Sequence, residues 1–153
     1  MKKIVPLLAV TAIFFAATPV SWAETSHEHG KEQVGGPKGG RLLDNTDPHA
    51  EFFIESDKTA TITFYDEAMK PIAPVGQSAV MFVDTNGTKT KLEFEENNGM
   101  LSAKGKLPEG ESHNVVLQLK QAPDAQPANF RFSLDDKVCG ECKRPEYACI
   151  CAH

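Results

Sequence analysis

Residues 78–95 read SAVMFVDTNGTKTKLEFE, and in this segment two β-forming runs flank the dipeptide Asn86-Gly87. In the second run Leu92 and Phe94 alternate with charged residues. This period-two alternation predicts a strand with one buried side. Asn-Gly supplies two residues that tolerate positive φ, as a tight type I′ hairpin requires. The stretch therefore predicts an antiparallel β-hairpin.

Short runs of the same kind recur through residues 41–134 at a spacing of about ten residues, with turn residues between them. Ile62 and Phe64 share one face of such a run, and Asn98-Gly99 predicts a further tight turn. Few helices are expected, because no window shows convincing apolar spacing at three and four. The predicted strands are 50–55, 59–65, 78–84, 88–95, 100–104, 113–120 and 128–134.

Seven short antiparallel strands predict an all-β domain. The expected architecture is an immunoglobulin-like antiparallel β-sandwich, with a small barrel as the alternative. This β-domain covers residues 41–134 and is followed by a short Cys-rich tail over 135–153. Before it, residues 24–40 contain five glycines and no large apolar side chain except Val34, so we expect a flexible lead-in.

The chain opens with a segment that has the features of an export signal. Two lysines are followed by an apolar run over residues 4–20 and then by Ser-Trp-Ala at 21–23. A basic start, an apolar run and a small-x-small site are typical of a cleaved secretory signal peptide. We therefore expect cleavage after Ala23, a soluble mature chain that begins at Glu24, a periplasmic location and no membrane contact after cleavage.

Charge and motifs narrow the function classes. Residues 1–23 contain two lysines and no acidic residue, so their removal would lower the formal net charge from -5 to -7. An acidic chain argues against nucleic acid as a partner, because phosphate backbones attract clustered Lys and Arg. The sequence has no Gly-rich phosphate loop, no G-x-S-x-G and no H-E-x-x-H. We therefore expect neither an enzyme nor an organic cofactor.

Four segments between residues 36 and 132 resemble a known group of proteins. They are Gly36-Pro37-Lys38-Gly39-Gly40-Arg41-Leu42-Leu43, Ala50-Glu51-Phe52, Phe64-Tyr65-Asp66-Glu67-x-x-Lys70-Pro71 and Phe130-x-Phe132. Their order is similar to small periplasmic β-domain proteins associated with heavy-metal efflux. It also resembles segments of the adaptor subunits of resistance-nodulation-division efflux pumps, although a His often stands there where this chain has Lys38. The resemblance implies a periplasmic β-sandwich that handles metal as an accessory, with an efflux-pump component as its partner.

All four cysteines lie in the tail, which reads CGECKRPEYACICAH over residues 139–153. A C-x2-C turn can direct two thiolates at one centre, and Gly140 is expected to allow its tight backbone. The six-residue loop that contains Pro145 can return the chain so that the C-x-C pair completes a tetrahedron. Four thiolates, or three and a His, suit Zn²⁺, and soft sulfur also suits Cu⁺ or Cd²⁺. The predicted metal ligands are Cys139, Cys142, Cys149, Cys151 and His153.

Two disulfides are the main alternative for the tail, because an exported protein meets an oxidising compartment and four cysteines is an even number. A bond within C-x-C would close a small strained ring, so that alternative predicts crosswise pairs between Cys139 or Cys142 and Cys149 or Cys151. A redox-active dithiol is the third interpretation. It is less favoured, because nothing in the tail predicts the helix start that usually lowers a thiol pKa.

The remaining histidines are weaker candidates. His27 and His29 stand on either side of Glu28 in the lead-in, where they are either weak Cu²⁺ or Zn²⁺ ligands or solvated surface residues. His49 and His113 are expected to be surface or edge residues. Taken together, these features predict a periplasmic soft-metal binding protein, accessory to heavy-metal efflux or homeostasis. The alternative is a structural or interaction β-domain with a disulfide-braced tail and no metal.

Overall fold

The computed structural model describes residues 34–151, and this part of the chain is all-β. All seven predicted strands are confirmed, and two short ones, β1 and β4, were not predicted. A 3₁₀ turn, η1 (Glu146–Ala148), is the only helical element within the described residues. The strands are β1 (Arg41–Leu43), β2 (His49–Ile54), β3 (Thr59–Tyr65), β4 (Pro71–Ile72), β5 (Ser78–Thr85), β6 (Thr88–Asn97), β7 (Met100–Lys106), β8 (Ser112–Lys120) and β9 (Ala128–Asp135).

The predicted hairpin between β5 and β6 is confirmed. Asn86 has a φ of 53° and Gly87 a φ of 86°, so both central residues occupy the left-handed region that a type I′ turn needs. The carboxylate of Asp84 accepts a hydrogen bond from the amide of Gly87 at 2.8 Å. Leu92 is buried and Phe94 packs against the core, as the period-two pattern predicts.

The strands form one continuous antiparallel sheet in the order β1-β2-β3-β7-β6-β5-β8-β9, with β4 beside β3. Strand β6 joins the two parts of the sheet, because its residues 88–93 pair with β5 and its residues 94–97 pair with β7. The sheet is therefore nearly barrel-shaped. The all-β prediction is confirmed, but the immunoglobulin-like sandwich, which needs two separate sheets, is not.

The core lies inside the curved sheet and is built from the inward faces of its strands. Its largest fully buried side chains include Phe52, Ile62, Phe64, Met81 and Leu117. Two partly buried rings of β9, Phe130 and Phe132, pack against this core. Removal of these apolar surfaces from water is the main term that stabilises the fold.

The Cys-rich tail contributes to the same core. Tyr147 and Ala148 of η1 are buried, and η1 contacts both β1 and β9, the two ends of the sheet order. The Tyr147 ring meets Phe52 edge-on, with ring centroids 5.8 Å apart and an interplanar angle of 78°. Its hydroxyl accepts a hydrogen bond from the amide of Ile54 at 3.0 Å. The tail thus lies between the two ends of the sheet, and this fixes where its cysteines sit.

Candidate metal centre

Backbone hydrogen bonds fold the tail into a compact knuckle. The amide of Cys139 donates to the carbonyl of Arg144 at 2.8 Å, and the amide of Lys143 donates back to the carbonyl of Cys139 at 3.2 Å. These two bonds close the C-x2-C turn. The 3₁₀ turn follows, in which the amide of Cys149 donates to the carbonyl of Glu146 at 3.1 Å. The second cysteine pair is thereby returned to the first.

The tight backbone of the knuckle does not depend on Gly140, and that expectation was wrong. Among the tail residues that the structure describes, only Lys143 has a positive φ, at 62°. A Cβ added at Gly140 would meet nothing within 4 Å. The reversal comes one residue after the second cysteine, so Lys143 rather than Gly140 takes the conformation that L-residues rarely adopt.

The four cysteine sulfurs form one cluster. All four Sγ atoms lie within 4.8 Å of one another. The Sγ of Cys149 lies 3.4 Å from that of Cys139 and 3.7 Å from that of Cys142, and the Sγ atoms of Cys139 and Cys151 are 3.9 Å apart. A tetrahedral Zn²⁺ site with Zn–S distances of about 2.3 Å has sulfurs about 3.8 Å apart. The cluster therefore has the dimensions of a tetrahedral thiolate site.

The cysteines differ in their exposure to solvent. Cys139 and Cys149 are buried, whereas Cys142 and Cys151 are half-buried on the outer side of the cluster. All four are free thiols in this structure. If all four bind one ion, no coordination position remains for water or a substrate, which is typical of structural and storage sites rather than catalytic ones.

Backbone amides stabilise negative charge on one sulfur in particular. The amides of Ile150 and Arg144 donate hydrogen bonds to the Sγ of Cys142 and lower the pKa of this thiol to about 6. Hydrogen bonds to the charged form of a group favour that form. These amides therefore favour the thiolate of Cys142, which is the form that binds metal.

The other two shifted thiols respond to burial and to their neighbours. The amide of Cys151 lowers the pKa of Cys149, but burial and the thiols of Cys139 and Cys142 together raise it above the ordinary value. Burial also raises the pKa of Cys151, and Cys149 and Cys142 raise it further. Without a cation the cluster resists full ionisation, so metal binding must release protons from it.

The five histidines have different outcomes. His153, His27 and His29 lie outside the described residues. His49 begins β2 and is half-buried. His113 is buried, with 5% of its surface exposed, and its Nδ1 is 2.7 Å from the Thr85 hydroxyl, so its assignment to the surface was wrong. The reason is the turn before β8, where Gly110 packs against the imidazole ring.

Among the residues that the structure describes, the cysteine cluster is the one candidate ion site. Within residues 34–151 no other group of three or more His, Cys, Asp or Glu side chains converges closely enough to hold a metal. The sequence located the four sulfurs but missed the amides of Arg144 and Ile150 that support Cys142. Backbone donors carry no residue-type signal, so only the folded knuckle shows them.

In the part of the chain that the structure describes, no helix has the length and apolar character needed to cross a membrane. Comparisons with protein families, with curated proteins and with solved structures find no match to this chain.

Proposed function

We propose that this protein binds a soft metal ion through Cys139, Cys142, Cys149 and Cys151. The observation that carries the proposal is the convergence of four Sγ atoms within 4.8 Å of one another. The backbone hydrogen bonds of the knuckle return Cys149 to Cys139, and both of these side chains are buried. Tyr147 and Ala148 anchor the tail in the core, and a bound ion adds the cross-link between its two cysteine pairs.

The arrangement favours Zn²⁺, with Cu⁺ as the second choice. Four sulfurs at the corners of a tetrahedron are typical of Zn²⁺ sites, whereas Cu⁺ is selected by thiolate softness. His153 is a proposed fifth candidate, able to replace one thiolate. The chain's acidic balance is consistent with attraction of cations. The role is binding, and catalysis is not proposed.

The proposed setting is the bacterial periplasm, as an accessory to heavy-metal efflux or homeostasis. The signal-like residues 1–23 support export, and the resemblance of residues 36–132 to efflux-associated β-domains supports the metal setting. In this setting the protein would buffer the ion or deliver it to an efflux-pump component.

A second candidate role is a structural β-domain whose tail is braced by two disulfides. One observation favours it: the crosswise neighbours Cys139 with Cys151 and Cys142 with Cys149 have sulfurs only 3.9 Å and 3.7 Å apart. Both pairs could close with small movements in an oxidising compartment. The two roles differ in one chemical respect, since a metal site keeps its four sulfurs reduced.

Metal analysis of the chain purified under anaerobic conditions separates these roles. We expect one metal ion per chain, and four thiols that resist alkylation until a chelator is added. A variant with Cys139 and Cys149 both changed to Ser should lose the ion, whereas Val138→Ala, an exposed change in the same segment, should keep it. A metal-free chain that is lighter by four hydrogens and gains thiols only after reduction would reject the metal-binding role in favour of two disulfides.

A further inference from the structure

A glycine-rich turn lies between the β-sheet and the cysteine knuckle. The amide of Gly36 donates to the carbonyl of Gly40 at 2.9 Å, and the amide of Gly39 donates to the carbonyl of Gly36 at 3.1 Å. Gly35 forms an isolated bridge with Arg41 at the start of β1. The turn is thus anchored to the sheet on one side, and its carbonyls at Gly36 and Gly40 face the tail.

A buried carboxylate on the sheet binds this turn through hydrogen bonds. Glu51 of β2 is fully buried and accepts hydrogen bonds from the amides of Lys38 at 3.1 Å and Gly40 at 2.7 Å. The hydroxyl of Tyr65 donates a third bond to it at 2.6 Å. A Cβ at Gly36 would overlap the Glu51 side chain, so the turn approaches the carboxylate as only glycine allows. A buried carboxylate needs hydrogen-bond donors, and two of the three donors to Glu51 are amides of the turn.

Arg144 holds the same turn from the tail side. Its Nη1 donates to the carbonyl of Gly36 at 3.2 Å and to that of Gly40 at 3.5 Å. A Cβ at Gly35 would overlap the guanidinium group, so the two segments are in close contact. The side chain of Arg144 therefore fixes the tail against a turn that Glu51 fixes against the sheet.

The backbone of Arg144 belongs to the cysteine knuckle. Its carbonyl accepts from the amide of Cys139 at 2.8 Å, and its amide donates to the Sγ of Cys142. One residue thus contacts the glycine turn through its side chain and both cysteines of the C-x2-C pair through its backbone. A continuous path of hydrogen bonds runs from the buried Glu51 carboxylate to two candidate metal ligands.

We infer that Arg144 and Glu51 are positioning residues of the metal site, which set the C-x2-C sulfurs in place through the glycine turn without touching the ion. This inference rests on the proposed function and deepens it. Groups that orient metal ligands from outside typically change metal affinity by about 10-fold to 100-fold when they are removed. We therefore expect a change in metal affinity of that size when either Glu51 or Arg144 is replaced, even though Glu51 belongs to a strand and Arg144 to the tail.

The change Glu51→Gln distinguishes an effect of charge from an effect of positioning, because the two predict opposite changes in metal affinity. When thiols exchange their protons for Zn²⁺, the cluster gains negative charge, and a carboxylate nearby opposes that gain. If Glu51 acted through its charge alone, Glu51→Gln would therefore raise metal affinity. If it positions the turn, the same change weakens binding, because an amide nitrogen cannot accept the bonds that the carboxylate now accepts.

The experiment measures Zn²⁺ affinity by competition with a chromophoric chelator, and site geometry by the visible absorption of Co²⁺ bound in place of Zn²⁺. The mature full-length chain is compared with Arg144→Ala, Arg144→Lys, Glu51→Gln and the control Lys137→Ala. Lys137 is a cation of the same segment that pairs with exposed Glu111, outside the path. We expect Arg144→Ala and Glu51→Gln to weaken Zn²⁺ binding by about 10-fold to 100-fold and to alter the Co²⁺ spectrum. Arg144→Lys should recover part of the loss, because its ammonium can donate to one of the two carbonyls, and Lys137→Ala should bind as the wild type does.

The possible results test the positioning role of Arg144 and Glu51 separately from metal binding itself. A wild-type chain that binds no Zn²⁺ overturns both. A wild-type chain that binds Zn²⁺, with Arg144→Ala equal to it in affinity and spectrum, overturns the positioning role alone. Equal losses of Zn²⁺ affinity in Arg144→Ala and Lys137→Ala also overturn the positioning role, because the removal of one positive charge would then explain both. Far-ultraviolet circular dichroism checks folding, and if Glu51→Gln does not fold, the two Arg144 variants decide the question.

Discussion

The burial of Tyr147 makes a strong prediction about the tail. The change of Tyr147 to Ala removes a ring that is 2% exposed and packs edge-on against Phe52. Large aromatic side chains deleted from protein cores typically cost about 3–5 kcal/mol. The change of Tyr147 to Phe keeps the ring but leaves the Ile54 amide without its acceptor, which costs about 1–3 kcal/mol for a buried donor.

Urea unfolding of the reduced, metal-free chain measures both changes, with circular dichroism as the signal. Absence of metal matters here, because a bound ion would add its own binding free energy to the measured stability. The matched control is Val138→Ala, since Val138 lies in the same segment but is 66% exposed, and such surface changes stay within about 0.5 kcal/mol. We expect the order Tyr147→Ala, Tyr147→Phe, Val138→Ala, from the largest loss to the smallest. A loss below about 1 kcal/mol for Tyr147→Ala would refute the packing of the tail into the core.

Three further predictions concern the backbone and the pH dependence. Gly140→Ala should leave stability and metal affinity nearly unchanged, whereas Lys143→Val, which places a β-branched residue at a φ of 62°, should cost about 1–3 kcal/mol by urea unfolding. Gly87→Ala should cost about 1 kcal/mol in the same assay, because the type I′ turn holds Gly87 at a φ of 86°. Burial raises the pKa of Tyr147 to about 12 from its ordinary 10.0, so the unfolded chain loses this proton first as the pH rises. Stability should therefore fall by up to about 1.4 kcal/mol per pH unit between about pH 10 and about pH 12, and Tyr147→Phe should lack this part of the loss; an identical slope in the two proteins would contradict the shift.

The sequence predicts the strands well because their signals are local. Period-two faces such as Ile62 with Phe64, and the turn dipeptides Asn86-Gly87 and Asn98-Gly99, are each complete within a few residues. All four of those turn residues have positive φ in the structure. The short strand β1 escaped prediction because three residues are too few to show alternation.

The closure of the sheet could not be predicted in the same way. A sandwich and a barrel contain the same strands, and they differ in whether β6 pairs with both of its neighbours. Strand β6 is ten residues long, and nothing in its residues marks the point at which it changes partner. Long-range pairing of this kind depends on packing across the whole domain rather than on any one segment.

In the candidate site, too, the features that are local in the sequence could be predicted, and the contacts between distant residues could not. The spacing of the four cysteines is local, and it identified the cluster. The supports of the cluster are distant, because Glu51 lies 93 residues before Arg144 in the chain. Glu51 is buried because the glycine turn packs over β2. The sequence of the turn and the sequence of β2, each taken alone, do not show this contact.

Native mass spectrometry can determine whether the cysteine cluster holds a metal ion, provided that the chain is purified under anaerobic conditions with no metal or reductant added. We expect one Zn²⁺ or Cu⁺ ion bound per chain, and four cysteines that an alkylating reagent modifies only after the ion is removed. A chain that carries no metal, and whose mass is lower by four hydrogens because two disulfides have formed, would contradict it.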